Sequence, residues 1–302
     1  MTATTADRTT GAAAARERVD TPRNSGRSGG RPWYIAAGTV LALLFISPLL
    51  WAVLRSMQPD AAITAPLTGS SFDALGLGNY RALLGGSVDL WPYIANSFMV
   101  CIGTALATAV ISTLAGYGLG RFRFRLSGLS FGLILLTLMI PFQAILTPLF
   151  LEFHALGLSD SRLGLVVFYT TFNLPFGVFV MRNTFASMPK ELEDSAYVDG
   201  CGIMTTLFRV LRPLALPGIA TTILYTFLSS WTEFLGALTL LTSTSKLTLP
   251  VALLNVQNGT FGAVNFGFLV AGAVLSMIPT VVLYVALQRY YVGGLTAGAV
   301  KG

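Results

Sequence analysis

The sequence contains very few of the side chains that usually bind metals or act as catalytic bases. His154 is the only histidine, and Cys101 and Cys201 are the only cysteines. Cys101 lies in an apolar run and Cys201 beside an acidic segment, so we expect no disulfide, and no CxxC spacing occurs. The lack of clustered histidines and acids argues against a membrane enzyme. No P-loop, G-x-x-x-x-G-K-[ST], is present, so the chain is not itself the ATPase of a transport system.

Charged residues are also scarce. They make up 11% of the chain, against 54% hydrophobic residues, and the mean hydropathy is +0.70. In soluble domains about a quarter of the residues are charged. The net charge is +6, but no aromatic-basic motif accompanies it, so we expect no nucleic-acid binding. The composition instead predicts an all-α, polytopic membrane protein.

Six apolar runs are long enough to cross a bilayer, which takes about 20 helical residues. They are Trp33–Leu54, Trp91–Leu119, Leu126–Leu151, Leu163–Met181, Leu214–Leu241 and Phe261–Leu287. The connections between them leave no room for a soluble catalytic domain. Residues 1–31 are rich in Ala, Thr, Arg and Gly without an apolar period, and we expect them to form a disordered basic tail. Residues 32–302 are predicted to form one transmembrane domain.

The positive charges are distributed unevenly between the two sides of these runs. Fifteen of the nineteen lysines and arginines lie in the N-terminal tail, after the second run, after the fourth run, or at the C-terminus. By the positive-inside rule, these segments face the cytoplasm. The charge pattern therefore predicts that both termini, and the segment between runs four and five, are cytoplasmic.

That cytoplasmic segment begins with M-P-K-E-L-E-D-S-A-Y-V-D-G, residues 188–200, which holds four of the 13 acidic residues. Ser187 is suited to cap a helix here, and acids in a first turn stabilise its positive end. Gly200 suits a left-handed C-terminal cap. A second short helix is predicted over Ile203–Leu211, ending before Pro213. Judged by these local features alone, a solvated linker is the simpler interpretation.

The spacing within the segment favours a different interpretation. It resembles the coupling loop of ABC-importer permeases, with the pattern E-A-A, three residues, Gly, nine residues, I-x-L-P. The matching positions are Asp194, Ser195, Ala196, Gly200, Val210 and Pro213. Asp replaces Glu, Ser replaces the first Ala, and Arg212 replaces Leu. The C-terminal G-L-T-A-G-A-V-K-G resembles the end of the smaller, maltose-type permease partner of the carbohydrate-uptake class, and the resemblance covers residues 33–302.

The resemblance implies a permease subunit of an ATP-driven importer that moves a sugar or oligosaccharide across the cytoplasmic membrane. Glycerol phosphodiesters and amino sugars stay open as alternative substrates. The implied partners are a second, homologous permease, two ATPase subunits that bind ATP-Mg, an extracytoplasmic solute-binding protein and membrane lipid, while this chain binds no cofactor. Within the coupling loop, residues 183–213, contact with the ATPase is expected from Glu193, Asp194, Ser195, Ala196, Asp199 and Gly200. The C-terminal tail is expected to reach the ATPases through Gln288, Arg289 and Lys301, although its composition also suits a frayed end.

Four polar or aromatic residues inside the runs are candidates for a translocation path: Gln143, Asn173, Trp231 and Glu233. Gln143 follows Pro141, and Asn173 precedes Pro175. Because a proline frees a backbone carbonyl, either amide could instead satisfy that carbonyl, and this is the simpler role for Asn173. Glu233 is the only acid inside a predicted span, so it should face a cavity or a partner and not lipid. A packing role for Glu233 between helices stays equally open.

A different class of protein, a self-sufficient secondary transporter or channel, fits the sequence less well. Such proteins carry ion-coupling acids or a selectivity filter within the membrane. This chain has one acid in its predicted spans and shows no clear internal repeat. We therefore predict six transmembrane helices with a cytoplasmic coupling helix, in a transport subunit that is not an enzyme.

Overall fold

The computed structural model describes residues 31–63, 66, 75–86, 88–259 and 264–299, and no strand occurs among them. The first helices are α1 (Arg31–Ser56), α2 (Asp60–Ile63), α3 (Gly78–Gly85), α4 (Trp91–Arg121), α5 (Ser127–Thr137), α6 (Phe142–Ala155) and α7 (Arg162–Ala186). They are followed by α8 (Glu191–Val198), α9 (Ile203–Thr205), a π-helix (Thr206–Leu211) and α10 (Arg212–Thr232). The last are α11 (Leu235–Leu240), a 3₁₀ turn (Thr244–Lys246), α12 (Leu249–Gln257) and α13 (Phe266–Ala299). The all-α prediction is confirmed, whereas the predicted tail lies outside the described residues apart from Arg31, where α1 begins.

Five helices of the described chain are long and apolar enough to cross a membrane. They are Trp33–Ser56, Trp91–Arg121, Arg162–Ala186, Ile203–Thr232 and Phe266–Ala286. A sixth span exists only if α5 and α6 are counted together, because these helices meet at a bend of 97°. The predicted third span, Leu126–Leu151, is therefore divided into two helices, α5 and α6, that run in different directions.

Pro141 explains the bend between α5 and α6. It precedes the first residue of α6, in an extended conformation with ψ of 120°. A proline has no N–H to donate to the preceding turn, and it disfavours helical geometry at the residue before it, here Ile140. The helix therefore ends at Thr137 and restarts at Phe142 in a new direction.

The predicted fifth span, Leu214–Leu241, is also interrupted. Glu233 is extended, with ψ of 133°, and separates α10 from α11. At the other end of α10, the helical backbone continues from Ile203 through Pro213 without a stop, since the π-helix Thr206–Leu211 passes directly into α10. The predicted helix end before Pro213 is therefore wrong.

The described residues form two units, one ending at Pro48 within α1 and the other beginning at Leu49. In the second unit, α4 and α7 make the most extensive helix contact, and α10 packs on both. Gly116 of α4 allows this closeness, since a Cβ there would lie 2.5 Å from the Cβ of Met181 and 2.7 Å from the nitrogen of Arg182. Small residues at such crossings are typical of membrane helices.

Two separate hydrophobic clusters fill the second unit. The larger one is rich in aromatic residues, including Phe168 and Trp231, and joins α4, α7 and α10 to α11, α12 and α13. The smaller one joins the carboxyl-terminal ends of α4 and α7 to the π-helix and the start of α10; we call it the α8-end cluster. Its buried members are Tyr117, Met181, Phe185, Leu207, Leu211 and Ala215.

The connection between α6 and α7 is tied to the segment between α11 and α12, and we call this region the Asp160 end. Asp160 accepts hydrogen bonds from the backbone N–H of Thr242 (3.1 Å) and Ser243 (2.9 Å), and its carboxylate lies 2.8 Å from Lys246 Nζ. Lys246, then the Ser243 hydroxyl and amide, lower the pKa of the Asp160 carboxyl far below its ordinary value. Asn96 of α4 adds hydrogen bonds to the carbonyls of Ser245 and Leu247, both 2.9 Å.

Candidate functional site

The acidic segment forms α8, which follows α7 after a four-residue turn. Glu191, Glu193 and Asp194 all lie in the first turn of α8, where carboxylates interact favourably with the helix dipole. The predicted cap is wrong: Lys190 holds the N-cap position without a side-chain bond, and Ser187 instead ends α7, its hydroxyl donating to the carbonyl of Thr184. The segment is nonetheless a helix, as predicted.

The expected coupling residues lie on two different faces of α8. Glu193 and Ala196 are buried, and Leu192 packs against the α8-end cluster. The remaining expected residues are exposed, together with Tyr197 and with Val198, whose exposed fraction is 87%. These remaining residues are Asp194, Ser195, Asp199 and Gly200. Of the expected coupling residues, four thus lie on the exposed face of α8 and its end, and Glu193 and Ala196 lie on the buried face.

Arg121, the last residue of α4, holds α8 against the rest of the chain. Its Nε lies 3.3 Å from Glu193 Oε1, and the two side chains are only 5% and 11% exposed. The same guanidinium donates to the carbonyl of Met188 (2.9 Å) and to that of Pro189 (3.1 Å), in the turn between α7 and α8. One cation thus contacts both the turn before α8 and the first turn of α8 itself.

The end of α8 is built around Gly200, whose φ is +80°, as predicted for a left-handed cap. The N–H of Gly200 donates to Tyr197 (3.0 Å), and the N–H of Cys201 donates to Ala196 (2.9 Å). This pair of bonds is a Schellman motif, which satisfies the last carbonyls of the helix. The chain then enters α9 and the π-helix, whose wider turns are common at functional sites.

A second candidate site is a cavity of about 380 Å³ between α6, α7 and the break that follows α10. Its polar lining brings together three of the four predicted path residues, Gln143, Asn173 and Glu233, with Ser229 and Ser230. The phenyl rings of Phe142, Phe168, Phe172 and Phe234 supply the apolar part. A mixture of hydroxyl, amide, carboxylate and aromatic groups is suited to a polar, partly apolar solute.

Glu233 is fixed in this cavity by the break in the helix. Its carboxylate accepts hydrogen bonds from the hydroxyl of Tyr169 (2.6 Å) and from the backbone N–H of Gly236 (3.0 Å) and Ala237 (3.3 Å). The carboxylate therefore satisfies amides at the start of α11 that would otherwise lack partners. An acid inside a span signals a special environment, but nothing in the sequence identifies Tyr169 as its partner.

The other predicted path residues are placed as follows. Gln143 is exposed, one residue after α6 begins. Asn173 is buried and donates to the carbonyl of Tyr169 (2.8 Å), not to the carbonyl of Thr171, which lies four residues before Pro175. The expectation that Asn173 satisfies the carbonyl freed by Pro175 is therefore wrong.

Trp231 lies outside the cavity. Its ring is 3% exposed and packs against Phe98 and Phe227, with ring centroids 4.9 Å and 5.8 Å away. Its indole N–H donates to the carbonyl of Ser276 in α13 (2.9 Å). In this arrangement the indole joins α10 to α13 and does not line the cavity that holds Glu233.

Three of the predicted ATPase contacts, Gln288, Arg289 and Lys301, belong to the C-terminal tail. The backbone remains helical to Ala299, and Gln288 is exposed. The side chain of Arg289 and all of Lys301 lie outside the described residues.

Both cysteines are free. Within the described ranges, no group of three His, Cys, Asp or Glu side chains could hold a metal ion.

Comparisons with known proteins agree on one family. The chain matches the model for "Binding-protein-dependent transport system inner membrane component" over residues 112–296. The sulfoquinovosyl glycerol transport system permease protein SmoH of Agrobacterium fabrum is 33% identical over 90% of this chain and 95% of that protein. The arabinooligosaccharides transport system permease protein AraQ of Bacillus subtilis is 30% identical over 87% of this chain and 93% of that protein.

The fold is similar to that of a solved transporter. A chain in the crystal structure of a bacterial ABC transporter involved in the import of the acidic polysaccharide alginate superimposes with a TM-score of 0.71. The match covers 87% of this chain and 98% of that chain, at 24% sequence identity. The likeness extends over nearly the whole fold.

Proposed function

The chain belongs to the family of inner membrane components of binding-protein-dependent transport systems, and from this premise we propose that it carries a sugar or oligosaccharide. It is a multi-pass permease subunit of an ABC importer and not an enzyme, since ATP hydrolysis in this family is the task of separate ATPase subunits. The observation that supports a sugar is the pair of relatives named above, one named for a sugar glycerol and one for arabinooligosaccharides, each aligned over most of its length.

The proposed complex contains a second permease, two ATPases and an extracytoplasmic binding protein. The α8 end, meaning α8 with the α8-end cluster and the adjoining ends of α4 and α7, is proposed to face the cytoplasm, because seven of the 19 lysines and arginines flank it and such residues are retained there. They are Arg121, Arg123, Arg125, Arg182, Lys190, Arg209 and Arg212. Both termini are proposed to lie on that same side.

The exposed face of α8 is the proposed docking surface for an ATPase. It presents Asp194, Ser195 and Val198, a combination of one charge, one small residue and one exposed apolar residue. Small and apolar groups allow close contact, while the carboxylate gives orientation through a charged partner. Gln288, Arg289 and Lys301 of the C-terminal tail remain proposed as a second contact with the ATPases.

The cavity around Glu233 is the proposed contribution of this chain to the translocation path. Sugar hydroxyls donate hydrogen bonds to carboxylates and amides, and aromatic rings pack against the apolar faces of sugar rings. Gln143 and Glu233 are the proposed contacts for solute, with Asn173 in the wall. Tyr169 keeps the Glu233 carboxylate in place, so the site is arranged before a solute arrives.

The proposal is tested by uptake in cells that lack this chain and in cells that regain it. The panel is a set of pentose and hexose oligosaccharides, an amino-sugar disaccharide and a glycerol phosphodiester. We expect the wild-type chain to restore uptake of an oligosaccharide. Glu233→Ala should reduce that uptake by about tenfold, since the loss of one buried hydrogen-bond partner costs about 1–3 kcal/mol, and Glu233→Gln should reduce it less.

The matched control is Glu152→Gln, because Glu152 is an exposed acid of α6 outside the cavity. Restored uptake of the amino sugar or the glycerol phosphodiester alone would replace the proposed substrate class. Normal uptake by Glu233→Ala at wild-type chain levels would remove Glu233 from the path.

A further inference from the structure

The α8 end contains one charged pair that is nearly closed off from solvent. Arg121 closes α4 and Glu193 lies in the first turn of α8, and their side chains are 5% and 11% exposed. A buried charge that loses its partner is strongly unfavourable, so the two groups tend to stay together when either helix moves. Glu191 and Asp194 on the same turn are exposed and can be altered without this penalty.

Arg121 also fixes the direction from which the chain enters α8. Its guanidinium donates two hydrogen bonds, to the carbonyls of Met188 and Pro189, while its Nε faces Glu193 in the ion pair. Beside the ion pair, the buried ring of Tyr117 packs edge-on against Phe185 of α7, with centroids 5.4 Å apart, and Leu192 of α8 packs against the same cluster. The first turn of α8 is thus held to α4 in position and in orientation.

The end of α4 is in turn joined to α7 by direct backbone contact. A Cβ at Gly116 would lie 2.7 Å from the nitrogen of Arg182, and one at Gly120 would lie 2.9 Å from its carbonyl oxygen. Such contacts leave little room for α4 and α7 to slide past one another. A displacement of α8 that is passed to Arg121 therefore reaches both α4 and α7, and α7 carries Tyr169 and Asn173 of the cavity.

We propose that the Arg121–Glu193 ion pair is the internal joint that transmits movement of α8 to α4 and α7, and that Glu193 serves this joint instead of contacting the ATPase. The proposal rests on the proposed function, in which ATPases move α8. It makes Arg121 and Glu193 positioning residues for transport. Closure of the ATPases and the conformational change of the permease are two linked equilibria. The free energy that couples them is transmitted by the element that joins the two proteins.

The test uses the complete importer in lipid nanodiscs and needs no solute. Gln143→Cys places a reporter thiol in the cavity. The two native cysteines of this chain are first replaced by Cys101→Ser and Cys201→Ser. Its labelling rate by a maleimide is measured with and without ATP and vanadate, next to co-purification of the ATPases. In the parent complex we expect ATP and vanadate to change that rate, because the permease changes state.

Adding Glu193→Gln keeps the shape of the side chain and removes its charge. We expect the ATPases to co-purify as before, while the nucleotide-dependent change in labelling falls by about tenfold, within the usual range of coupling between sites. Glu191→Gln is the matched control on the exposed face and should leave the change intact. Glu193→Asp keeps the charge with a shorter reach, and an intermediate loss is expected there, which decides the matter if Glu193→Gln fails to assemble.

Each other outcome has a defined meaning. Loss of ATPase co-purification in both Glu193→Gln and Glu193→Asp would overturn the proposal by making Glu193 a docking contact. Full co-purification with a full labelling response in Glu193→Gln and Glu193→Asp would overturn it by reducing the pair to a fold-stabilising contact. If the parent complex itself shows no nucleotide-dependent labelling, the proposed path fails, and this result is separate from any effect of Glu193.

Discussion

The α8 end and the Asp160 end are held together by different kinds of interaction. At the Asp160 end, the Asp160 carboxylate and the Asn96 amide bind backbone groups of the segment between α11 and α12, and Lys246 of that segment binds the backbone carbonyl of Asp160. At the α8 end, a single residue, Arg121, holds the short helix and the turn before it through one ion pair and two hydrogen bonds, and the neighbouring cluster is apolar. Many short polar bonds fix a loop in one position, whereas apolar contacts and a left-handed turn tolerate small rotations.

This difference fits the two roles that the ends have in the proposed importer. The Asp160 end adjoins the larger hydrophobic cluster, and its bonds keep the α6–α7 connection in register with the segment after α11. The α8 end has the smaller cluster, followed by Gly200 and the π-helix, and is joined to the rest by Arg121. Because the Asp160 end is rigidly packed and α8 is attached through a joint, a movement of α8 would change the shape of the cavity between the two ends.

The largest expected effect comes from separating α4 and α7 near the joint. Gly116→Ala places a methyl group 2.5 Å from the Cβ of Met181 and against the Arg182 backbone, so the two helices must move apart. Overpacking of this kind costs about 1–3 kcal/mol, and backbone contact puts this site at the upper end. The free energy of unfolding should fall by about 3 kcal/mol, measured by thermal or denaturant unfolding of the purified chain in detergent.

Gly118→Ala is the matched control, since no atom lies within 4 Å of a Cβ at Gly118. It removes a helical glycine without a clash, so stability should stay the same or rise by up to about 1 kcal/mol. Equal losses in both variants would show that glycine content, and not the close contact between α4 and α7, matters at this end.

A smaller effect is expected at the turn that ends α8. Gly200 has a φ of +80°, and a residue with a Cβ pays about 1 kcal/mol in that conformation. Gly200→Ala should therefore lower the free energy of unfolding by about 1 kcal/mol. It should also reduce uptake by a larger factor than it reduces the amount of the chain in the membrane. Uptake per assembled complex is the measurement.

Gly202→Ala serves as its control, because Gly202 has an ordinary φ of −78° and open space around it. It should behave as wild type. Unchanged uptake and stability in Gly200→Ala would mean that the turn rearranges freely, and the Schellman motif would then have no part in positioning α8.

The sequence predicted the fold class and the position of α8 because both depend on local patterns. Long apolar runs, an acidic first turn and Gly200 are visible in the order of residues. The bend at Pro141 and the break at Glu233 were not predicted, because a proline or an acid inside an apolar run is compatible with either a kink or a straight helix.

The candidate sites were predicted less completely. Gln143 and Asn173 were chosen because their amides lie near prolines, and Glu233 because it is an acid inside a span; the structure brings all three to one cavity. The roles of Glu193 and Trp231 depend on which face of the helix is buried, and a helix of eight residues with acids all around gives no such signal. Arg121 is one of three alternating arginines, and only the packing of α4 on α7 selects it as the partner of Glu193.

The smallest expected effect is at the Asp160 end, where Asp160→Asn removes the charge that faces Lys246. The two side chains are 26% and 38% exposed, and the backbone N–H bonds to Oδ1 survive in the amide, so the loss should stay below about 1 kcal/mol. The pKa of Asp160 is depressed in the folded chain, so its contribution is fully present above the ordinary Asp value of about 4 and is lost as pH falls from there towards the depressed value. The difference in melting temperature between wild type and Asp160→Asn should therefore be constant from pH 8 to pH 5, and should shrink only at more acidic pH.

The control is Glu152→Gln, because Glu152 is an exposed acid in the same part of the chain. This variant should show no difference in melting temperature from wild type at any pH. A difference that already vanishes near pH 5 would mean that Asp160 takes up a proton there, and the polar network would then be no firmer than the jointed α8 end.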